Sequence, residues 1–292
     1  MVNQQYDLLD ALFRNLGGSA VEVINGWSPS AAQVFESYGF RVFQRLTSPN
    51  GDCRSYHGCS VVIESSRCPP FEPYLVYSRQ PLYCGSAPVV VRLSPDSLHT
   101  LPTLWKYPTN IIRFDYGLFD RDSIRALYDY AVRLFSRVPD PVSYVCNGAN
   151  GLLKRYVSPF SLVFDASSCL LYWGGGPFEP PFALAAYKES AFAPMNLEFF
   201  ALSSASDSVP RPFCMTCPIR EICPYPTFHE SYLLTGDPLL PPARACAVHY
   251  AIVLALYSVV REQRIDFSKC PSINNVMHRF YIMGGDDVYS EL

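Results

Sequence analysis

Residues 213–223 of the chain read Phe-Cys-Met-Thr-Cys-Pro-Ile-Arg-Glu-Ile-Cys, and the next cysteine follows at position 246. The spacing of Cys214, Cys217, Cys223 and Cys246 is therefore C-x2-C-x5-C-x22-C. Four thiolates are what an iron–sulfur cluster requires, because each iron needs one soft anionic ligand beyond its sulfides. Zinc also accepts four thiolates, but structural zinc sites generally use two short paired arms, and this pattern has only one. The spacing favours a cluster and leaves zinc, or unligated or disulfide-bonded cysteines, as the alternatives.

The same stretch resembles the second auxiliary-cluster motif of SPASM domains, which are the C-terminal extension of many radical SAM enzymes. Those domains carry C-x2-C-x5-C, then a segment that often contains Thr-Gly-Asp-Pro, then a cysteine that opens a helix. Residues 235–238 of this chain read Thr-Gly-Asp-Pro, and residues 244–249 read Arg-Ala-Cys-Ala-Val-His. The resemblance covers residues 210–260 and implies one [4Fe-4S] cluster. Its ligands would be Cys214, Cys217, Cys223 and Cys246.

The first half of the chain alternates helical and strand-like patterns. Apolar residues recur with helical spacing over 6–16, while 20–24 is a short apolar run typical of a buried strand. Ser30 is placed to cap the second helix. The patterns predict helices over 31–38, 95–107 and 122–136 and strands over 40–46, 61–64, 74–77, 88–93 and 110–116. This alternation predicts an α/β fold with a parallel sheet.

Residues 1–138 resemble an incomplete radical SAM partial barrel in the order of their elements. Residues 24–29, Ile-Asn-Gly-Trp-Ser-Pro, stand where such barrels carry Gly-Gly-Glu-Pro, and residues 47–51, Thr-Ser-Pro-Asn-Gly, stand where they carry Thr-Asn-Gly. The C-x3-C-x2-C motif that holds the SAM-cleaving cluster does not occur, and the barrel's first strand would have to precede Met1. Ser28 replaces the glutamate that contacts the SAM amine in the family. The comparison implies a scaffold without a SAM-cleaving centre.

Pro139 and Pro141 predict a boundary, followed by a small α+β SPASM-like domain over 139–292. Residues 152–164 and 170–173 predict a hairpin, which SPASM domains also have. The family's first auxiliary cluster lacks ligands here, because Trp173 and Thr227 stand at two of its cysteine positions. Cys146 and Cys169 are accordingly interpreted as small buried thiols rather than ligands.

Other cysteine and histidine residues that could bind a metal are farther apart in the sequence than those of the main motif. Cys53, Cys59, Cys68 and His57 lack the tight arm that metal sites normally have, and they are predicted to be structural or incidental. Cys270 is an alternative fourth ligand of the main motif.

Two further features bear on the chemistry of the motif and of the C-terminus. His249 lies three residues after Cys246, which places both on one helix face. It either hydrogen-bonds a cluster sulfur or is an ordinary helix histidine. Asp286 and Asp287 are predicted to be a solvated end rather than a catalytic pair.

Composition excludes several classes of function. A net charge of −3 gives no electrostatic footprint for nucleic acid. The N-terminus has no signal-peptide pattern, and the apolar run 247–260 is too short to span a bilayer, so we expect no membrane association. Eleven cysteines in such a chain predict reduced thiols, metal binding and a cytoplasmic location.

These observations predict an iron–sulfur protein of peptide or protein maturation, with a structural or electron-transfer role. Its partners would be a peptide or protein substrate and a companion radical SAM enzyme, and SAM itself is not expected to bind this chain alone. One alternative is an active radical SAM/SPASM maturase whose SAM-cluster segment lies outside this chain. The other is a zinc-stapled binding module. The sequence leaves open whether the protein is an enzyme.

Overall fold

The structure is a computed structural model that leaves several segments of the chain undescribed. It describes residues 2–48, 52–55, 57–63, 68, 71, 73–107, 110–146, 152–153, 158–174, 178–196, 211–224, 228–268 and 270–282. The predictions for Thr227, Asp286 and Asp287, and for the side chain of Cys146, lie outside the described residues.

A mostly parallel sheet forms the centre of the fold. The strands of the described part are β1 (Ala20–Ile24), β2 (Arg41–Leu46), β3 (Cys59–Ile63), β4 (Leu75–Ser78), β5 (Val89–Leu93), β6 (Asn110–Phe114), β7 (Leu162–Asp165), β8 (Leu170–Trp173), β9 (Ala185–Lys188) and β10 (Ala191–Pro194). They follow the order β10-β9-β8-β7-β1-β2-β3-β4-β5-β6. Neighbours from β7 to β6 pair in parallel, whereas β7 to β10 form an antiparallel meander. The predicted α/β class and the predicted β7–β8 hairpin are confirmed. Strands from both sides of the predicted boundary at 138/139 belong to this one sheet.

Helices precede, connect and follow the strands. The described α-helices are α1 (Val2–Asn15), α2 (Pro29–Ser37), α3 (Arg121–Phe135), α4 (Pro141–Cys146), α5 (Phe228–Thr235), α6 (Ala243–Gln263) and α7 (Pro271–Ile282). Residues Pro95–Lys106 form a 3₁₀-helix instead of the predicted α-helix. The reason is Pro102 inside it, which has no N–H to donate and disfavours continued α-helical hydrogen bonding.

The cap of α2 lies two residues earlier than the sequence predicted. The Ser28 side chain, not that of Ser30, accepts a hydrogen bond from the Ala31 backbone N–H at 3.4 Å, and Pro29 occupies the first helical turn. Proline is well suited to this position because the first helical N–H groups have no partner within the helix. Ser28 therefore has a local structural role as the cap of this helix.

The two faces of the sheet are covered differently. On one face, α1 and α2 pack over β1, β2 and β7, while α3, α6 and α7 pack over β3 to β6. The opposite face carries a smaller apolar cluster that includes Phe43, Leu75, Val90 and Phe160.

A polar network also lies on this second face, in the middle of the sheet. Glu22 on β1 is fully buried, pairs with Arg45 on β2, and accepts a hydrogen bond from the Ser60 hydroxyl on β3. The Tyr77 hydroxyl on β4 lies 3.2 Å from the Arg45 Nη2 and 3.3 Å from the Glu22 Oε2. A buried ion pair is therefore shared by four adjacent strands.

The long apolar helix α6 is part of the core. By length and composition it is the one described helix that could cross a membrane, but most of its apolar stretch is buried inside this fold. It packs against α3, and the Tyr128 and Ser258 hydroxyls join the two helices at 2.9 Å. The prediction of a buried helix over 247–260 is confirmed, although the helix extends beyond both ends of that run.

Several cysteines outside the C-x2-C-x5-C motif form disulfides, which corrects the prediction of reduced thiols at these positions. Cys53 pairs with Cys59 and Cys68 with Cys84, with Cα–Cα distances of 6.0 and 5.5 Å that suit a disulfide. Cys270 is also disulfide-bonded. A disulfide sulfur has no thiolate to offer, so Cys53, Cys59, Cys68 and Cys270 are not available as metal ligands.

Two other sequence interpretations are settled by the surroundings of single residues. The Nδ1 atom of His57 accepts a hydrogen bond from the Val42 backbone N–H at 3.3 Å, so its role is to join the loop before β3 to β2. Cys169 was expected to be a buried thiol, but it lies exposed in the β7–β8 turn with a φ of +58°.

Candidate functional site

The four motif cysteines lie where a short loop meets the first turn of α6. Cys214 ends the 3₁₀ turn Pro212–Cys214, and the Cys217 backbone N–H donates to the Cys214 carbonyl at 3.2 Å. The Cys223 N–H closes a further turn on the Ile219 carbonyl at 2.9 Å. Cys246 is in the first turn of α6, with its N–H bonded to the Pro242 carbonyl at 3.0 Å. None of the four is disulfide-bonded.

Three of the sulfurs influence each other electrostatically. Cys246 is an exposed residue, but partial desolvation of its thiol, followed by the neighbouring Cys214 and Cys217, raises the thiol pKa to about 11. Burial also raises the pKa of Cys214, with Cys217 adding to the effect. Arg211 opposes the rise at both thiols. With raised pKa values these thiols keep their protons near neutral pH, so a metal ion that binds them has to displace those protons.

The fourth sulfur, that of Cys223, contacts a histidine of α6. His249 is buried one turn after Cys246, and its Nδ1 lies 3.6 Å from the Cys223 Sγ. Its Nε2 lies 2.8 Å from the Tyr116 hydroxyl. Burial lowers the pKa of His249 to about 3, so the ring is neutral and carries a single proton. When the Tyr116 hydroxyl donates to Nε2, that proton is on Nδ1 and faces the Cys223 sulfur.

Of the two roles left open for His249, the ordinary buried histidine is supported by its contact with Tyr116, while its Nδ1 also lies beside the sulfur of Cys223 rather than that of Cys246. Tyr116 and Arg211 were missed by the sequence reasoning. Arg211 lies three residues before Cys214, but its burial, which points to nearby anionic groups, is known only from the fold. Tyr116 follows β6 and carries no sequence signal, because only the folded chain brings it to α6.

The cysteine loop is anchored to its surroundings by a few specific contacts. Ile219 is its buried apolar residue. Glu221 forms an ion pair with Arg279 of α7 and accepts a hydrogen bond from the Asn275 side chain at 2.9 Å. The Arg244 side chain, in the first turn of α6, donates to the Gly117 carbonyl at 2.5 Å and holds the helix end beside the turn that follows β6. The loop and the helix end each have their own anchors, and the contact of Cys223 with His249 joins them.

The donor set fits a four-thiolate centre in chemistry more closely than in geometry. Four thiols, a buried arginine and a neutral histidine share one neighbourhood. Across the part of the chain that the structure describes, however, no three His, Cys, Asp or Glu side chains converge closely enough to hold one metal ion. A cluster would therefore require the loop to draw its sulfurs inward toward Cys246.

No protein-family model matches the chain, and no curated protein matches it at a significant level.

Proposed function

We propose that the chain binds one [4Fe-4S] cluster through Cys214, Cys217, Cys223 and Cys246. The observation that carries the proposal is the division of the cysteines. The motif thiols, and the isolated Cys169, are not disulfide-bonded, while Cys53, Cys59, Cys68, Cys84 and Cys270 are oxidised; the four motif thiols share one neighbourhood. Such a division is expected when one group of cysteines is kept for a metal centre.

The surrounding residues are suited to such a centre. A bound cluster supplies one-electron transfer or a structural link between the loop and α6. Arg211 offsets the negative charge of the ligating sulfurs, and the imidazole of His249 offers a hydrogen bond to the Cys223 sulfur, the kind of contact that raises the reduction potential of a cluster. Because all four ligands come from the protein, no iron is left open to bind a substrate.

We further propose that the chain is a SPASM-like protein on an incomplete radical SAM-like barrel. It would act with a companion radical SAM enzyme on a peptide or protein substrate. The consecutive parallel order of β1 to β6 supports the barrel, since such barrels add their strands in chain order. The Thr-Gly-Asp-Pro segment before α6 supports the SPASM likeness.

Metal analysis tests the cluster directly. The anaerobically purified protein is expected to be brown and to contain about four irons and four sulfides per chain, as a [4Fe-4S] cluster requires. Iron and acid-labile sulfide assays on the same sample measure this. Stoichiometric zinc without sulfide would indicate a structural zinc site instead of a cluster. The absence of both iron and zinc would overturn the proposal.

The chain alone is expected not to cleave SAM. Reductive cleavage needs an iron left open by a set of three thiolates, and the chain contains no C-x3-C-x2-C motif. Cys53, Cys59 and Cys68 are in disulfides and offer no substitute. Incubation with SAM and dithionite, followed by chromatography for 5′-deoxyadenosine, measures the activity. Catalytic formation of this product would establish the active-maturase alternative instead.

A further inference from the structure

A second candidate site lies at the edge of the sheet where β4, β5 and β6 end. A solvent-open cavity of about 500 Å³ is lined there by residues that follow these strands directly, including Arg79 after β4, Ser94 after β5 and Asp115 after β6. The first turns of the 3₁₀-helix Pro95–Lys106 complete its wall. Ligands of open parallel sheets bind at the carboxyl ends of the strands, and the cavity has the size of a small-molecule site.

The charged groups of this cavity are balanced. Two guanidinium groups, Arg79 and Arg92, face two carboxylates, Asp96 and Asp115. One pair is already satisfied within the protein, since the Arg92 Nη2 lies 2.7 Å from the Asp115 Oδ1. This ion pair fixes the Arg92 guanidinium at the end of β5.

The other two charged side chains, Arg79 and Asp96, are exposed and are not used in an ion pair with a described residue. Arg79 and the Asp96 carboxylate line the same cavity, yet neither forms an ion pair with the other or with any other residue that the structure describes. An accessible cation and an accessible anion that line one cavity match a ligand that carries both charges. A purely anionic ligand would meet two carboxylates as well as two guanidinium groups, so the balanced charges of the wall give it no net attraction.

The remaining wall is polar. The Ser97 hydroxyl donates to the Ser94 carbonyl at 3.1 Å, and the Thr100 hydroxyl donates to the Ser97 carbonyl at 2.8 Å. The Ser97 oxygen also accepts the Ser94 backbone N–H at 2.9 Å, so the Thr100 hydroxyl oxygen is the more open acceptor for an ammonium group. Leu118 is the one aliphatic side chain among the lining residues described, so burial of apolar ligand surface would contribute little.

We propose that this cavity binds a small zwitterion, either a free α-amino acid or a dipeptide. The carboxylate of the ligand lies at Arg79, and its ammonium group lies at Asp96. The site is separate from the four cysteines, and the proposal does not depend on whether they hold a cluster.

Calorimetric titration with L-serine and with glycylglycine, each beside its blocked forms, tests the proposal. The unblocked probes are expected to bind saturably, whereas N-acetylated probes lack the ammonium group and C-terminal amides lack the carboxylate. Each blocked form is expected to bind about tenfold or more weakly, because one charge-assisted hydrogen bond contributes about 1.5–3 kcal/mol. Equal binding of blocked and unblocked probes, or saturable binding of none, would overturn the proposal.

Matched variants locate the binding. Arg79→Gln should weaken the binding of the unblocked probe to that of the C-terminal amide, and Asp96→Asn should weaken it to that of the N-acetylated form. Arg125→Gln removes an exposed arginine of α3 outside the cavity and should leave binding unchanged. Thermal unfolding of each variant checks that the fold is kept. Inorganic phosphate is the last probe: tighter binding of phosphate than of L-serine would identify a simple anion site and refute the zwitterion.

Discussion

The Glu22→Ala variant is expected to lose about 3–5 kcal/mol of the free energy of unfolding, which is the usual cost of removing one partner from a buried ion pair. Glu22 has no exposed surface and sits in the centre of a parallel sheet. Its carboxylate is the acceptor for Arg45 and Ser60 at once. Without it, the Arg45 guanidinium stays buried and keeps only Tyr77 as a polar partner from this network.

Arg45 cannot relieve the imbalance by losing its proton. Burial acts to lower its pKa, but the attraction of Glu22 and then Tyr77 outweighs that effect, so the pKa is raised above its ordinary value. The guanidinium also lies over the Tyr77 ring, 4.5 Å from its centroid, and 6.0 Å from that of Phe178. These contacts confine the side chain to the interior, and a charge confined there without its counter-ion destabilises the folded state.

Urea denaturation followed by circular dichroism measures the loss, and two controls define its cause. The double variant Glu22→Leu/Arg45→Met removes both charges, and it is expected to recover most of the stability because apolar replacements of a buried pair are often neutral. Arg14→Gln breaks the exposed pair with Asp10 on α1 and should change the unfolding midpoint little. A Glu22→Ala midpoint no lower than that of Arg14→Gln would contradict the assigned role of the buried pair.

The sequence predicted which residues form strands more completely than it predicted which strands pair with each other. Apolar runs such as 20–24 and 40–46 are bounded by turn residues, so their strand character is encoded locally. The pairing of β1 with β7 is not encoded locally, because Val21 and Leu162 are brought together only by the whole fold. The same holds for Glu22: one carboxylate within an apolar strand gives no indication that its partners are on β2 and β3.

Much of the candidate site could also be predicted, for a reason particular to cysteine. Metal-ligand spacing is a short-range pattern, so the C-x2-C-x5-C motif can be recognised without the fold. The disulfides of Cys53 and Cys68 could not be predicted from the sequence, since their formation depends on Cα distances that the loops set in three dimensions. The cavity beside β5 escaped for the same reason, because Arg79, Asp96 and Asp115 follow or flank three different strands.

The Cys217→Ala variant is expected to lose nearly all bound iron and much of its soluble yield. A four-thiolate centre with one ligand removed has an open, reactive iron, and the metal–thiolate bonds also contribute to the folding of the segment that they join. That segment has few other anchors, chiefly the buried Ile219 and the Glu221 contacts with Arg279 and Asn275. Limited proteolysis should therefore cut the variant within 211–224 faster than the parent protein.

Alanine variants of two other cysteines serve as controls, because they show whether iron is lost when any cysteine is removed or only when a ligand is removed. Cys169 is an exposed thiol that is not disulfide-bonded, so Cys169→Ala matches the chemistry of the change without touching the motif. Cys53→Ala breaks a disulfide instead, which is expected to lower stability while leaving the iron content unchanged. Iron and sulfide per folded chain, measured for all three variants, should fall only for Cys217→Ala. Equal iron loss in Cys53→Ala would mean that the centre is assigned to the wrong cysteines, because the thiolates of 214, 217, 223 and 246 would then not be its ligands.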